Sequence, residues 1–115
     1  METAGEKWST VQVKGIVRID RLAGIFEVWP DEGDFPFAKF KIKVIERAGG
    51  DFLGVPNLAV RNSTTGDPEY ISGLGQSIEG ALVDTIKYFF REVKQHTPAK
   101  GLAEADFVWS ACEDF

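Results

Sequence analysis

The sequence predicts an α+β domain, a mainly antiparallel sheet of about five strands with one long helix packed on one face. Three observations carry the prediction. Ala38, Phe40, Ile42 and Val44 alternate with Lys39, Lys41, Lys43 and, past Ile45, Arg47, which is the period of a half-buried strand. Ile78, Leu82, Ile86, Phe89 and Val93 recur at helical spacing, with Ala81 and Phe90 widening the stripe. The segment Gly73-Leu74-Gly75-Gln76-Ser77-Ile78-Glu79-Gly80-Ala81-Leu82 marks where strand-like sequence becomes that helix. Ser77 is a good N-cap, and Glu79 lies in the first turn, where the macrodipole favours an anion.

The chain of 115 residues reads as a single domain over residues 1–115. Residues 1–9 lack periodicity and form a loose N-terminal tail from which Trp8 can dock on the body. Val11, Val13, Val17 and Ile19 alternate with polar residues and predict a first half-buried strand, with Gly15 on its apolar face. A turn near Asp20 to Gly24 leads to Ile25-Phe26-Glu27-Val28-Trp29, a second strand closed by Pro30 and the acidic loop Asp31-Glu32-Gly33-Asp34. Ala48-Gly49-Gly50-Asp51 turns the chain into Phe52–Arg61, a strand in which Pro56 must mark a start, an edge or a bulge because it has no N–H for a ladder. Turn formers fill Asn62 to Pro68, and Glu69-Tyr70-Ile71-Ser72 reads as a short returning strand. The helix stops at Thr97-Pro98, since the residue before proline avoids the helical region. Residues 99–115 form a docked C-terminal segment or a final strand.

Composition excludes some functions and disfavours others. Nine Phe and three Trp supply a core that needs no staples, and the single Cys112 cannot form an internal disulfide. With no basic stretch leading into an apolar one at the N-terminus and no apolar run near the ~20 residues of a membrane span, the expectation is a cytoplasmic protein with no membrane partner. The net charge of −5 disfavours nucleic acid, whose affinity rests on phosphate neutralisation.

No catalytic set, metal cluster or cofactor motif emerges. Cys112 and His96 would both be needed for a Cys–His pair, but Glu113 and Asp114 beside the thiol raise rather than lower its pKa. His96 falls at the helix end, where a histidine serves the last carbonyls. The acidic loop lacks the spacing of a calcium hand. Gly73, Gly75 and Ser77 are candidates for an alternative ligand site in which backbone amides at the helix start hold a phosphate. Ile78 replaces the third glycine of a dinucleotide fingerprint, and no Gly-Lys-Ser/Thr follows.

Lys39, Lys41 and Lys43 are the most distinctive charged feature, three ammonium groups about 6.7 Å apart along one strand face. They suit an acidic partner or, as a further alternative, a nucleic-acid backbone, although aromatics for base stacking do not interleave with them. The same pattern also keeps a strand face soluble. Trp29 and Trp109 complete the candidate partner-binding set, since tryptophan is enriched at interface hot spots, although such residues more often belong to a core.

Two families share the strand-to-helix junction. Gly73-x-Gly75-x-Ser77-x-x-x-Ala81 resembles the last helix start of double-stranded-RNA-binding domains, but Ile78-Glu79 stands where their phosphate-holding Lys pair would be. Phe52-Leu53-Gly54-Val55-Pro56-Asn57-Leu58, followed by Gly75-Gln76-Ser77-Ile78-Glu79-Gly80-Ala81-Leu82, is similar to the N-terminal domain of HicB-like antitoxins over about half the chain. This sequence departs from that family by the Asn62 to Ile71 insertion, by two extra N-terminal strands and by the lack of the usual C-terminal DNA-binding segment. The resemblance implies a three-stranded sheet with a packed helix that binds a partner rather than catalysing a reaction. The function expected is therefore a non-catalytic protein-binding module, of the antitoxin, immunity or inhibitor kind. An open sheet edge also suits a homodimer formed by strand pairing.

Overall fold

The structure, a computed structural model, describes residues 8–31 and 33–115, so the expectations for residues 1–7 and for Glu32 lie outside the described residues. The α+β class holds, but the strands divide into two sheets. The main sheet has the order β1-β2-β3-β6, from β1 (Arg21–Val28), β2 (Phe40–Glu46), β3 (Phe52–Pro56) and β6 (Gly73–Gly75), all antiparallel. The second has the order β5-β4-β7, from β4 (Leu58–Arg61), β5 (Pro68–Glu69) and β7 (Phe107–Trp109). The one α-helix among the described residues, α1 (Ile78–Gln95), lies across one face.

The two sheets are joined where the sequence places Pro56. Pro56 ends β3, and Asn57 bends the chain into β4. Asn57 keeps the bend tied to β2: its N–H donates to the Lys41 carbonyl at 2.9 Å and its Oδ1 accepts from the Lys41 N–H at 2.8 Å. The expected strand Phe52–Arg61 is therefore two strands, because the ladder is broken at the residue that cannot donate to it.

Register fixes two unlike faces. Val44, Gly54 and Gly73 are aligned across β2, β3 and β6, as are Ile42 and Pro56, and these look towards the helix. The helix offers Ala81, Thr85, Phe89 and Val93 as its buried residues, flanked by Ile78, Leu82, Ile86 and Phe90. Phe89 stacks on Phe40 with ring centroids 4.5 Å apart, and Phe35 meets both Phe89 and Phe107 edge-on, so one aromatic cluster spans both sheets. Ser77 caps the helix by accepting the Gly80 N–H at 3.0 Å.

The glycines at the strand-to-helix junction have a packing reason. A Cβ on Gly54 or Gly73 would fall within 3.0 Å of Thr85, and one on Gly75 within 3.0 Å of the Ala81 and Gly80 backbone. Thr85, which the apolar stripe passes over, fits this glycine floor as a small side chain whose hydroxyl is turned back to the Ala81 carbonyl at 2.6 Å.

Several expectations are corrected. Residues 11–20 form no strand: Val13 to Ile16 make a tight turn with Gly15 at φ 95°, and the apolar residues on either side are exposed. The turn expected near Asp20 to Gly24 is instead the start of β1, where the register shift between Leu22 and Gly24 makes a bulge. The returning strand falls at Pro68–Glu69 rather than Glu69 to Ser72, and residues 73–75 add β6. The C-terminal segment contains the strand considered for it, β7, and then a short 3-10 turn over Cys112–Asp114.

Candidate protein-binding face

The face of the main sheet turned away from α1 is where the lysine strand displays its side chains. Cross-strand partners on this face form rows. Glu27 stands beside Lys41; Ile25, Lys43 and Val55 form the next row; Leu22, Ile45, Leu53 and Leu74 then run across all four strands. The last row is apolar from edge to edge. Leu22, Ile25 and Leu74 remain more than half exposed.

The three lysines do not form a comb of free charges. Lys39 Nζ donates to Glu27 Oε2 at 2.8 Å and lies 5.0 Å from the centre of the Trp29 ring. The hydrogen bond and charge of Lys39 hold the Glu27 carboxyl below its ordinary pKa of 4.5, with Lys41 adding a smaller attraction. Lys43 Nζ donates to the main-chain oxygen of Phe115 at 2.8 Å and sits 4.9 Å from that ring's centre. Lys41 is exposed and, among the described residues, its ammonium meets no carboxylate within ion-pair distance.

The C-terminal segment crosses part of this face. A surface hollow of about 550 Å³ between Val55, Pro56, Tyr70 and Ile71 of the body and Trp109, Ser110, Ala111 and Asp114 of the segment marks its path. Phe115 ends it over Lys43, beside a small hollow that Leu22 and Ile45 also line. Trp29 stays 63% exposed at the β1 end of the face, whereas Trp109 belongs to the second sheet and packs edge-on against Phe37 at 4.9 Å. The structure thus gathers Trp29, Lys39 and Glu27 into one cluster, sets Lys41 beside it, roofs Lys43 with Phe115, and places Trp109 apart.

Gly73, Gly75 and Ser77 lie at the other edge of the sheet. Gly73 and Gly75 face the helix backbone, the Ser77 hydroxyl accepts the Gly80 N–H, and the Leu74 N–H donates to Asp84 Oδ2 at 2.9 Å. The shallow hollow beside them carries Glu79, Asp84 and Lys87. A separate groove of about 510 Å³ runs along α1 over Phe35, Ile86 and Phe90, with Lys87 and Lys94 on its rim.

His96 is buried at the end of α1, and its N–H donates to the Glu92 and Val93 carbonyls as the helix C-cap. The ring does a second task that sequence spacing does not reveal: Nδ1 accepts the Ser63 N–H at 3.1 Å, which pins the Asn62–Asp67 turn to the helix. Cys112 is exposed. Among the described residues, no group of three or more His, Cys, Asp or Glu side chains is gathered to hold a metal ion, and no helix is long and apolar enough to cross a membrane.

The apolar row is the part of this face that reading the lysines alone overlooks. Its signal is present: the outward period of β2 changes from Lys43 to Ile45, and Leu53 and Val55 alternate with the inward Gly54. Comparison of the chain with protein-family models, with curated proteins and with solved structures finds no match.

Proposed function

We propose that this chain is a non-catalytic protein-binding module, of the antitoxin, immunity or inhibitor kind, and that the outer face of its main sheet receives the partner. One observation carries the reading. The row Leu22–Ile45–Leu53–Leu74 crosses four strands on the side that the helix leaves open, with both ends exposed to solvent. An apolar band with a polar rim is the usual build of a protein-binding surface. The partner that fits it offers apolar side chains to Leu22 and Leu74, a carboxylate to Lys41, and a pocket for Trp29.

The similarity of the Phe52–Leu58 and Gly75–Leu82 segments to HicB-like antitoxins supports the same class, in which the sheet and helix serve recognition. The reading includes a cytoplasmic location, where an exposed lone thiol such as Cys112 stays reduced.

The test compares capture by the wild-type chain, by a face variant carrying Leu74→Lys and Lys41→Glu, and by a helix-face control, Lys87→Glu. Circular dichroism confirms that all three fold. A partner held by the wild type and the control, but lost from the face variant, supports the reading. Equal capture by all three, or no partner together with turnover in an enzyme screen, overturns it.

A further inference from the structure

The N-terminal arm and the free edge of β1 present a problem that the single chain does not solve. Within 11–20 the chain exposes Val11, Val13, Ile16, Val17 and Ile19, with Val17 100% accessible. These are β-branched residues on either side of the Val13–Ile16 turn, and none of them makes a ladder bond. The molecule is also long for its size: the radius of gyration is 16.7 Å, against about 13 Å for a compact chain of this length.

The limb 16–20 cannot lie against its own β1. Residues 16–20 run into Arg21 without a turn, so this limb continues the strand beyond its last partner pair, Arg21 with Glu46. Among the described residues the outer side of β1 is likewise unpaired, because β1 stands first in the order β1-β2-β3-β6. Among the described strands this is the long open edge: β6 has three residues, β5 two and β7 three, against eight for β1. An edge of this length with apolar residues beside it is one that proteins cover. At the root of the arm, Asp20 Oδ1 is buried with no hydrogen-bond partner among the described residues, although Oδ2 accepts from Arg18.

We propose that a second copy of this chain covers the arm and the β1 edge in a two-fold antiparallel pairing, which joins the two main sheets into one. A two-fold edge contact is self-complementary: the limb that overhangs β1 in one copy lies along the free edge of β1 in the other. The area suffices. The five arm residues together with Leu22 and Ile25 offer roughly 400 Å² of apolar surface per copy at the usual area of a buried aliphatic side chain. With an apolar share of about 65%, the interface totals roughly 1,200 Å², the lower end of the range for specific complexes. This interface shares Leu22 and Ile25 with the partner-binding face proposed above, but its arm residues lie outside that face and Leu74 lies outside this interface, so substitutions at Val17 and at Leu74 tell the two apart.

The test is the mass of the full chain in solution by light scattering or sedimentation, from about 1 to 200 µM, with amide exchange followed at both ends of that range. The wild type is expected to move from 12.7 kDa towards twice that mass, and exchange over 16–28 to slow at least threefold with concentration. Val17→Asp with Ile19→Asp, both exposed in the single chain, is expected to stay at monomer mass. Leu74→Asp, at the far edge of the sheet, is expected to dimerise as the wild type does. A wild type that stays monomeric at 200 µM without concentration-dependent protection overturns the proposal. So does a dimer that survives the arm variant, or an open-ended series of larger species, since a two-fold contact closes.

Discussion

Replacing Gly73 with alanine tests whether the helix-to-sheet distance is set by glycine. The new Cβ would lie within 3.0 Å of the Thr85 hydroxyl, amide nitrogen and Cα. Two of those three atoms are helix backbone, so no rotamer change relieves the overlap, and α1 or β6 must shift by up to about 1 Å to reach ordinary contact. Overpacking of this kind costs about 1–3 kcal/mol, and relief through backbone alone puts Gly73→Ala near 3. The unfolded chain loses freedom with alanine and returns about 0.4–1 kcal/mol. The net loss is about 2 kcal/mol, or roughly 8 °C in Tm for a chain of this length. Gly54→Ala provides the contrast, because its nearest obstacle is the Thr85 side-chain oxygen and its other contacts lie at 3.1 and 3.2 Å. Thr85→Ala should therefore rescue Gly54→Ala by about 1 kcal/mol or more, and Gly73→Ala by clearly less. Urea unfolding of the four single and double variants, beside Thr85→Ala and the wild type, measures both couplings. A Gly73→Ala protein within about 2 °C of the wild type, or equal rescue at the two positions, would refute the glycine-floor argument.

Phe89→Ala removes the ring stacked on Phe40 and should cost about 3–5 kcal/mol in chemical denaturation, enough to leave much of the protein unfolded near body temperature. His96→Ala strips the acceptor from the Ser63 N–H; a loss of about 1–2 kcal/mol is expected, with amide exchange at Ser63 accelerating more than at Val60, and unchanged exchange at Ser63 would contradict the pinning role. Asp51 is held below its ordinary pKa of 3.8 chiefly by its hydrogen bond from Arg47, and Glu27 below 4.5 by Lys39. Both lowered values mean that the folded state binds these protons more weakly than the unfolded one. Their contribution is complete above the ordinary carboxylate range and is lost as pH falls through the lowered values. The Tm of the wild type should therefore fall faster below about pH 4 than that of Asp51→Asn, with the two curves parallel at neutral pH.

How far the sequence discloses this fold depends on whether a pattern is answered within the chain. The alternation of Phe40, Ile42 and Val44 is a sound guide because β2 is a central strand with the helix on one side. The equally regular Val11, Val13, Val17 and Ile19 mislead, because periodicity states which face a strand would bury, not whether a neighbour exists to bury it. Asp20 to Gly24 reads as a turn because a glycine follows shortly after the polar pair Asp20-Arg21; the register shift between Leu22 and Gly24 shows the same freedom used for a bulge. Thr85 is invisible to an apolar count although it is fully buried, since what selects it is the row of glycines across from it. The lysines of the candidate face are legible one by one, but their pairing with Glu27 and Phe115 depends on contacts far apart in sequence.

The glycine-rich junction and the outer face are linked by what close packing consumes. Gly54, Gly73 and Gly75 let α1 approach until its backbone fills the inner face of β3 and β6, and this leaves no room between them for a ligand. At the same place the Ser77 hydroxyl accepts the Gly80 N–H and Asp84 accepts the Leu74 N–H. With the inner face spent on packing, the main sheet retains two kinds of surface able to recognise another molecule: its outer side chains and its unpaired edge. Leu22 stands on both, at the end of the apolar row and on the open strand, with just over half of its surface exposed. Substitutions there should therefore perturb partner capture and self-association together, while Leu74→Asp and Val17→Asp separate the two.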